Sequence, residues 1–195
     1  WLTGLSGSGK STIAEFLGRN ENDSLLLSLD NYYLSESEQL QKNSFCNFDH
    51  PKSLDSDLLR LNLEELRLKG VTNVPIYCFK KRRRVGFNAV FAKEVVVIEG
   101  LFAGSLVGAL SAFSIFVEVD LDIALLRRIK RDIDERGRSI DCIETQYLNN
   151  VRPSYFKYIQ NQKKYSNKVI VNNNSDGLGE IAKEASEIFT EIIKN

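Results

Sequence analysis

The 195-residue sequence contains no methionine, a single histidine (His50), one tryptophan and only three cysteines. Cys46, Cys78 and Cys142 are odd in number, widely spaced and free of any CxxC pair. That argues against a disulfide framework and against a zinc site, and it suits a reducing cytoplasm. An excess of either charge is also missing. Lys+Arg and Asp+Glu number 26 each, so nothing in the balance calls for nucleic acid or an anionic membrane as the main partner. Long apolar runs are absent too. The longest, over residues 95–98 and 101–110, are broken by Glu99, Gly100 and Gly104 and fall well short of the ~20 residues that span a bilayer. No signal peptide is visible. The opening at Trp1 without a Met predicts that a few residues of a first strand precede it. What is present, 43% hydrophobic and 27% charged residues, is an ordinary soluble composition, and its length suits a single domain over 1–195 with one sizeable core.

Short apolar runs alternate with amphipathic stretches, the signature of βαβ units and a parallel sheet. Strands are expected at 1–3, 24–29, 94–98, 114–119 and 168–171. Helices are expected at 10–17, 55–68, 121–134, 142–158 and 179–193, with a turn at 172–174. The helix over 55–68 has a broad apolar face in Leu58, Leu59, Leu61, Leu66 and Leu68, and Gly70 stands where a C-terminal cap belongs. Residues 74–79 and 85–91 read as a hairpin around the basic run 80–84, an insertion on an α/β core.

Gly4-Leu5-Ser6-Gly7-Ser8-Gly9-Lys10-Ser11 matches G-x-x-x-x-G-K-[ST] in full, between a strand and a helix. Glycines there let backbone N–H groups point at phosphate oxygens, and the helix adds its positive N-terminal end. Lys10 is placed for the β- and γ-phosphates and the Ser11 hydroxyl for Mg²⁺, with Gly4, Ser6, Gly7, Ser8, Gly9 and Thr12 completing the nucleotide site. The plain alternative is a Gly/Ser-rich turn before a helix. A P-loop specifies a nucleoside triphosphate rather than a reaction, so the acceptor side must decide the chemistry.

Asp30 closes the second buried run, at the edge of the sheet where ligands bind in open α/β folds. A carboxylate there could take the proton of an attacking hydroxyl. Spacing alone leaves that reading level with a simple strand-end cap. Further segments follow in order: Asp30-Asn31-Tyr32-Tyr33, Asn47-Phe48-Asp49-His50-Pro51, Pro75-Ile76-Tyr77-Cys78-Phe79, Glu99-Gly100, Arg127-Arg128 with Arg131-Asp132-Ile133-Asp134-Glu135-Arg136-Gly137-Arg138, Gln146-Tyr147 and Val151-Arg152-Pro153. Together they resemble the uridine/cytidine kinase family, within the wider group that includes phosphoribulokinase and pantothenate kinase, over nearly the whole chain.

The resemblance implies a three-layer α/β P-loop fold with a mainly parallel sheet, a hairpin insertion over about 74–91 and a helical lid over about 127–140. It implies phosphorylation of a pyrimidine nucleoside at its 5′-hydroxyl, with ATP or else GTP as donor and Mg²⁺ as cofactor. Asp30 matches the general base and Asp49 the carboxylate that holds the ribose hydroxyls. Tyr33, Phe48, Tyr77 and Phe79 match the nucleoside pocket. Arg128, Arg138 and Gln146 match residues around the acceptor, and Arg131 and Arg136 match catalytic, phosphate-binding arginines. Relatives assemble as homotetramers, so a homo-oligomer is implied as well.

Glu99 ends an apolar strand where P-loop enzymes place an acidic Mg²⁺ partner; the alternative is a buried Glu paired with Lys10. Arg127, Lys130 and Asp134 read as a solvated helix face, whereas Arg128 and Arg131, three residues apart, share one face. Arg136 and Arg138 flank Gly137, a hinge for a lid that would exclude water from the transfer. His50 reads as structural beside Asp49. Two positions depart from the family: Cys78 stands where relatives often have a polar or acidic residue, and where a histidine usually helps to recognise the pyrimidine, this chain has Arg82. An arginine can donate to a pyrimidine carbonyl or bind the phosphate of a phosphorylated sugar. The rival readings are therefore a kinase for another small alcohol, and a nucleotide-binding regulatory protein without phosphoryl transfer.

Overall fold

The strands form where the apolar runs are, and the lengths of those runs decide which are buried on both faces. The computed structural model describes residues 1–20, 24–107, 112–173, 181, 183–188 and 190. Seven strands are present among these: β1 (Leu2–Gly4), β2 (Ser24–Ser28), β3 (Val71–Cys78), β4 (Arg83–Phe91), β5 (Val95–Glu99), β6 (Ile115–Glu118) and β7 (Lys168–Val171). Five make one sheet in the order β2-β5-β1-β6-β7, every pairing parallel, while β3 and β4 form a separate antiparallel hairpin. The helices are α1 (Lys10–Asn20), α2 (Glu36–Asn43), α3 (Ser56–Lys69), α4 (Ala103–Val107), α5 (Leu121–Asp134) and α6 (Ile140–Gln146). From α6 the chain stays helical through π turns at Tyr147–Val151 and Tyr155–Ile159 to a 3₁₀ turn at Gln160–Tyr165.

A parallel sheet needs cover on both faces, and two apolar clusters supply it. Ile13, Ala14 and Leu17 of α1 pack with Ile181, Ala185 and Ile188 against Leu2, Val97, Val117 and Ile170 on one side. Phe102, Phe116, Val151 and Ile159 belong to the cluster on the other side, which runs out under the hairpin to Val74 and Tyr77. The result is a three-layer α/β fold. Among the described residues, no helix is long and apolar enough to cross a membrane.

Several expectations shift. The hairpin starts at Val71, not residue 74, because Val71–Asn73 find ladder partners in Phe91, Val90 and Ala89. Arg83 and Arg84 lie in β4 and not in the turn. The second strand stops at Ser28, and Asp30 sits in a 3₁₀ turn over Leu29–Tyr32. Two helices had no apolar period to announce them. α4 is a five-residue segment. α2 is polar except for the exposed Leu40 and is set by a capping box, with Ser35 and Glu38 satisfying each other's backbone N–H groups. α3 keeps a narrower face than expected: Leu59 and Leu66 are buried, but Leu61 and Leu68 are exposed. Its cap is as expected, with Gly70 left-handed at φ 73° and its N–H donating to Leu66 O at 3.1 Å. Of the helix expected at 179–193, residues 181, 183–188 and 190 are helical. The remainder of that stretch and Asn174 of the expected turn lie outside the described residues.

Candidate active site

The strand order puts β1 at the centre, with β5 and β6 beside it, so the loops after all three open onto one edge of the sheet. The loop after β1 is the P-loop. Gly7 and Gly9 hold φ of 90° and 87°, left-handed values that a side chain rarely adopts. A Cβ on Gly7 would collide with the carbonyl oxygen of Ala124, and one on Gly9 with the Asn172 amide. The loop is braced from outside: Asn172 Nδ2 donates to Ser8 O at 2.7 Å. Arg127 Nη1 donates to Asn172 O at 2.9 Å and to Gly7 O at 3.5 Å. Arg127 is therefore a P-loop brace and not merely part of a solvated face. Lys10 and Ser11 begin α1, and Thr12 follows them on its exposed side.

Register explains the acidic group behind the loop. Ser28 and Glu99 are paired neighbours in β2 and β5, and the Ser28 hydroxyl donates to Glu99 Oε1. Ser11 Oγ donates to Glu99 Oε2 at 3.1 Å. Glu99 is 4% exposed. Burial pushes its carboxyl pKa up, and the nearby Lys10 charge opposes that shift. A buried carboxylate beside a hydroxyl at the phosphate end fits a divalent cation, which would restore the carboxylate's charge. No group of three or more His, Cys, Asp or Glu that could cage a metal occurs among the described residues.

Beyond the P-loop a cleft of about 260 Å³ runs from Lys10 and Ser11 past Asp30 to the hairpin. Its walls bring together Ser6, Asp30, Tyr33, Phe48, Asp49, Tyr77, Phe79, Arg82, Arg128, Arg131, Arg136, Arg138 and Gln146, as expected from the sequence. The other P-loop members Gly4, Gly7, Ser8, Gly9 and Thr12 lie outside its walls, as does Glu99 behind Ser11.

Four aromatic rings line one end. Tyr33 meets Phe48 at 5.7 Å, Tyr77 at 5.6 Å and Phe79 at 6.4 Å between centroids, and Tyr77 meets Phe79 edge-on at 5.4 Å. The Tyr77 hydroxyl is buried and has no hydrogen-bond partner, which leaves a donor and acceptor for a polar ligand edge. Asn31, next to Asp30, fixes that wall: its Oδ1 accepts from Tyr77 N at 3.2 Å, at the register shift between Ile76 and Tyr77. Arg84 ties the hairpin down through Asp55 Oδ2 at 3.0 Å and Tyr32 O at 3.2 Å. Arg82 takes a left-handed φ of 49° and lies 3.9 Å from Glu36 at the cleft's rim.

Asp49 is partly buried. Burial pushes its pKa up, and Arg128 and Arg138 pull it back. Its loop is held by backbone bonds: Asp49 N donates to Asn47 Oδ1 at 2.9 Å, and the Ser154 hydroxyl donates to Asp49 O. His50 serves this loop. Its Nδ1 accepts from Lys52 N at 3.1 Å, its Nε2 meets Tyr158 Oη at 2.9 Å, and the ring sits between Phe45 and Tyr158.

The arginines converge on a residue to which the sequence attached no role. Asp132, 0% exposed, accepts from Arg131 and Arg138 at 2.8 and 2.9 Å, with Arg136 at 3.4 Å and Arg128 at 3.6 Å. Against the cost of burial, Arg128, Arg131 and Arg136 hold its carboxyl below the usual range. Arg136 also lies over the Phe79 ring at 4.2 Å, so the arginine segment reaches the hairpin across the cleft. The advance signals for Asp132 were its place in the Arg131–Arg138 segment and its spacing, four residues after Arg128 and four before Arg136.

The profile of the phosphoribulokinase/uridine kinase family matches residues 2–176. This chain belongs to the phosphoribulokinase/uridine kinase family. It is 38% identical over 175 residues to a uridine kinase of Brevibacillus brevis, covering 87% of this chain and 82% of that one. It is 34% identical over 200 residues to a uridine kinase of Staphylococcus aureus, covering 100% and 94%. Among solved structures, phosphoribulokinase from Rhodobacter spheroides superposes with a TM-score of 0.60 at 14% identity, covering 91% of this chain and 72% of that one, a likeness of fold. Membership of the phosphoribulokinase/uridine kinase family makes the chain a kinase.

Proposed function

We propose that this chain transfers the γ-phosphoryl group of ATP to the 5′-hydroxyl of a pyrimidine nucleoside, uridine or cytidine, giving the monophosphate and ADP. The observation that carries the reading is the single cleft joining Lys10 and Ser11 through Asp30 to an aromatic end beside Asp49. A regulatory nucleotide binder has no use for that second half.

In this reading the aromatic rings take the flat base, and the unpartnered Tyr77 hydroxyl and Arg82 offer polar contacts to its edge. An ionised Asp49 accepts from both ribose hydroxyls, which leaves the 5′-hydroxyl directed at Asp30. Asp30 takes the hydroxyl proton as the oxygen bonds to the γ-phosphorus and the bond to the β-phosphate bridging oxygen breaks. Lys10, Arg131 and Arg136 offset the charge on the transferring group. Arg128, Arg138 and Gln146 orient the acceptor. Ser11 and Glu99 would hold Mg²⁺, which would supply positive charge against the phosphates of the donor. The arginine segment acts as a lid that excludes water and so prevents ATP hydrolysis.

The free thiols of Cys46, Cys78 and Cys142 support work in a reducing cytoplasm. The outward hairpin residues Val85, Phe87 and Phe91, 50–66% exposed, support assembly with further copies of the chain. The test is ADP release from Mg·ATP with uridine, cytidine, adenosine, pantothenate, ribulose 5-phosphate or no acceptor. Turnover with uridine or cytidine is expected. Turnover only with the phosphorylated sugar would reassign Arg82 to phosphate binding. ATP binding with no turnover on any acceptor would favour the regulatory protein.

A further inference from the structure

Gathering four guanidiniums in one place is unfavourable, because they repel and each must shed water. Something must hold them, and how it does so is specific. The two oxygens of Asp132 divide the arginines. Oδ1 accepts from Arg131 Nε at 3.0 Å and Nη2 at 2.8 Å and has Arg136 Nη1 at 3.4 Å. Oδ2 accepts from Arg138 Nη1 at 2.9 Å and has Arg128 Nε at 3.6 Å. The first pair is the one assigned to the transferring phosphoryl, and the second is the one assigned to the acceptor. Arg128 and Arg138 also share Gln146 Oε1, at 3.4 and 2.8 Å. Arg131 and Arg128 both donate to the Ser6 hydroxyl of the P-loop, at 3.3 and 3.0 Å. The Asp132 carbonyl accepts from Arg138 N at 3.0 Å, closing the chain over Gly137, whose φ is 65°.

We infer that Asp132 is a positioning residue for the reaction: through its two carboxylate oxygens it holds one arginine pair toward the phosphoryl donor and the other toward the acceptor. The inference rests on the kinase reading above. A single carboxylate cannot neutralise four cations, so it orders them and leaves net positive charge for phosphate oxygens. Packing alone would not require the split by oxygen, nor the fastening of Arg128 and Arg131 to the P-loop. Asp132 touches no reacting atom in this arrangement. It acts through the guanidiniums, in the way that groups behind a reacting centre fix its geometry.

Asp132→Asn removes the negative charge and one of the two accepting oxygens. It leaves the site more positive but its arginines unsorted. Folding is checked by thermal melting. Affinity for a fluorescent ATP analogue with Mg²⁺ is measured without any acceptor. The kcat is then measured with the best acceptor of the panel. The expected result is nucleotide affinity unchanged or tighter, with kcat lowered roughly a hundredfold, the scale for a reacting group displaced by about an ångström. Asp132→Glu restores the charge on a longer stem, so nucleotide affinity should return to the starting value while kcat stays at least about tenfold down. Should Asp132→Asn not fold, Asp132→Glu carries the kcat arm. Two results would overturn the inference: nucleotide affinity falling in step with melting temperature in the variants, or kcat within about twofold of the starting protein. Failure of the parent protein to turn over uridine or cytidine would sink the nucleoside reading instead. The nucleotide-binding arm, which uses no acceptor, would still decide the role of Asp132.

Discussion

The two halves of the cleft are built on different principles. The donor half is one uninterrupted segment, Gly4 to Ser11, whose shape is set by backbone conformation and by the start of α1. The acceptor half is assembled from the 3₁₀ turn after β2, the loop before Pro51, the hairpin, α5 and α6, and no two of its key side chains are chain neighbours except Phe48 and Asp49. A local motif tolerates few changes because its geometry is backbone geometry. An assembled site depends on side-chain charge and on braces such as Arg84–Asp55 and Asn31–Tyr77, and it should fail by degrees.

The sharpest break is expected in the donor half. Gly7→Ala puts a Cβ onto the Ala124 carbonyl at a left-handed φ, a strain of about 1–3 kcal/mol. Relief requires the loop to move, so nucleotide binding should be abolished in titration calorimetry while the sheet stays folded. Asp30→Asn probes the meeting point of the halves. Loss of a general base costs roughly 10²–10⁴-fold, so kcat should fall by that scale in the coupled ADP assay with nucleotide affinity kept. Loss of nucleotide binding in that variant would place Asp30 in the donor half instead.

Graded failure is expected in the acceptor half. Asp49 has its pKa raised by burial, and only its ionised form offers both oxygens as acceptors to the two hydroxyls of a diol. The nucleoside KM should therefore climb as pH falls into the range just above that of ordinary carboxylates, and Asp49→Asn should flatten that dependence while raising KM. Stability moves the other way. A raised folded pKa adds stability that is fully present below the unfolded value and is lost as pH rises through the folded one. The smallest effect is expected at the brace. Arg84→Ala leaves Asp55 and Tyr32 O short of a partner, costing about 1–3 kcal/mol. It should lower the melting temperature and raise nucleoside KM a few-fold, with nucleotide affinity unchanged.

Much of this was legible in the chain. Apolar runs placed the seven strands found among the described residues to within a few residues; those of the sheet were legible because a strand buried on both faces leaves a run that a polar loop cannot imitate. The capping glycine at position 70 and the P-loop glycines were legible because a left-handed φ nearly demands that residue. α2 was not legible, since its start rests on a reciprocal hydrogen-bond pair, Ser35 with Glu38, and not on an apolar face. Arg127 looked like one more surface cation, and only its contacts with Gly7 and Asn172 make it a brace.

By itself, the sequence determined the donor loop and the parallel α/β plan, because backbone conformation and hydrophobic periodicity are local properties; the acceptor-side residues were implied by the family resemblance and not by any local pattern. Only the tertiary structure decided that Asp132 stands at the centre of the arginines, that Glu99 is buried behind Ser11, and that the Tyr77 hydroxyl is buried without a partner. The Glu99–Ser11 relation joins residues 88 apart in the chain, and the Asp132 cluster, though local in sequence, is sorted by its contacts with the P-loop and Gln146. Their energies depend on desolvation and on the meeting of charges, which exist only once the chain has folded.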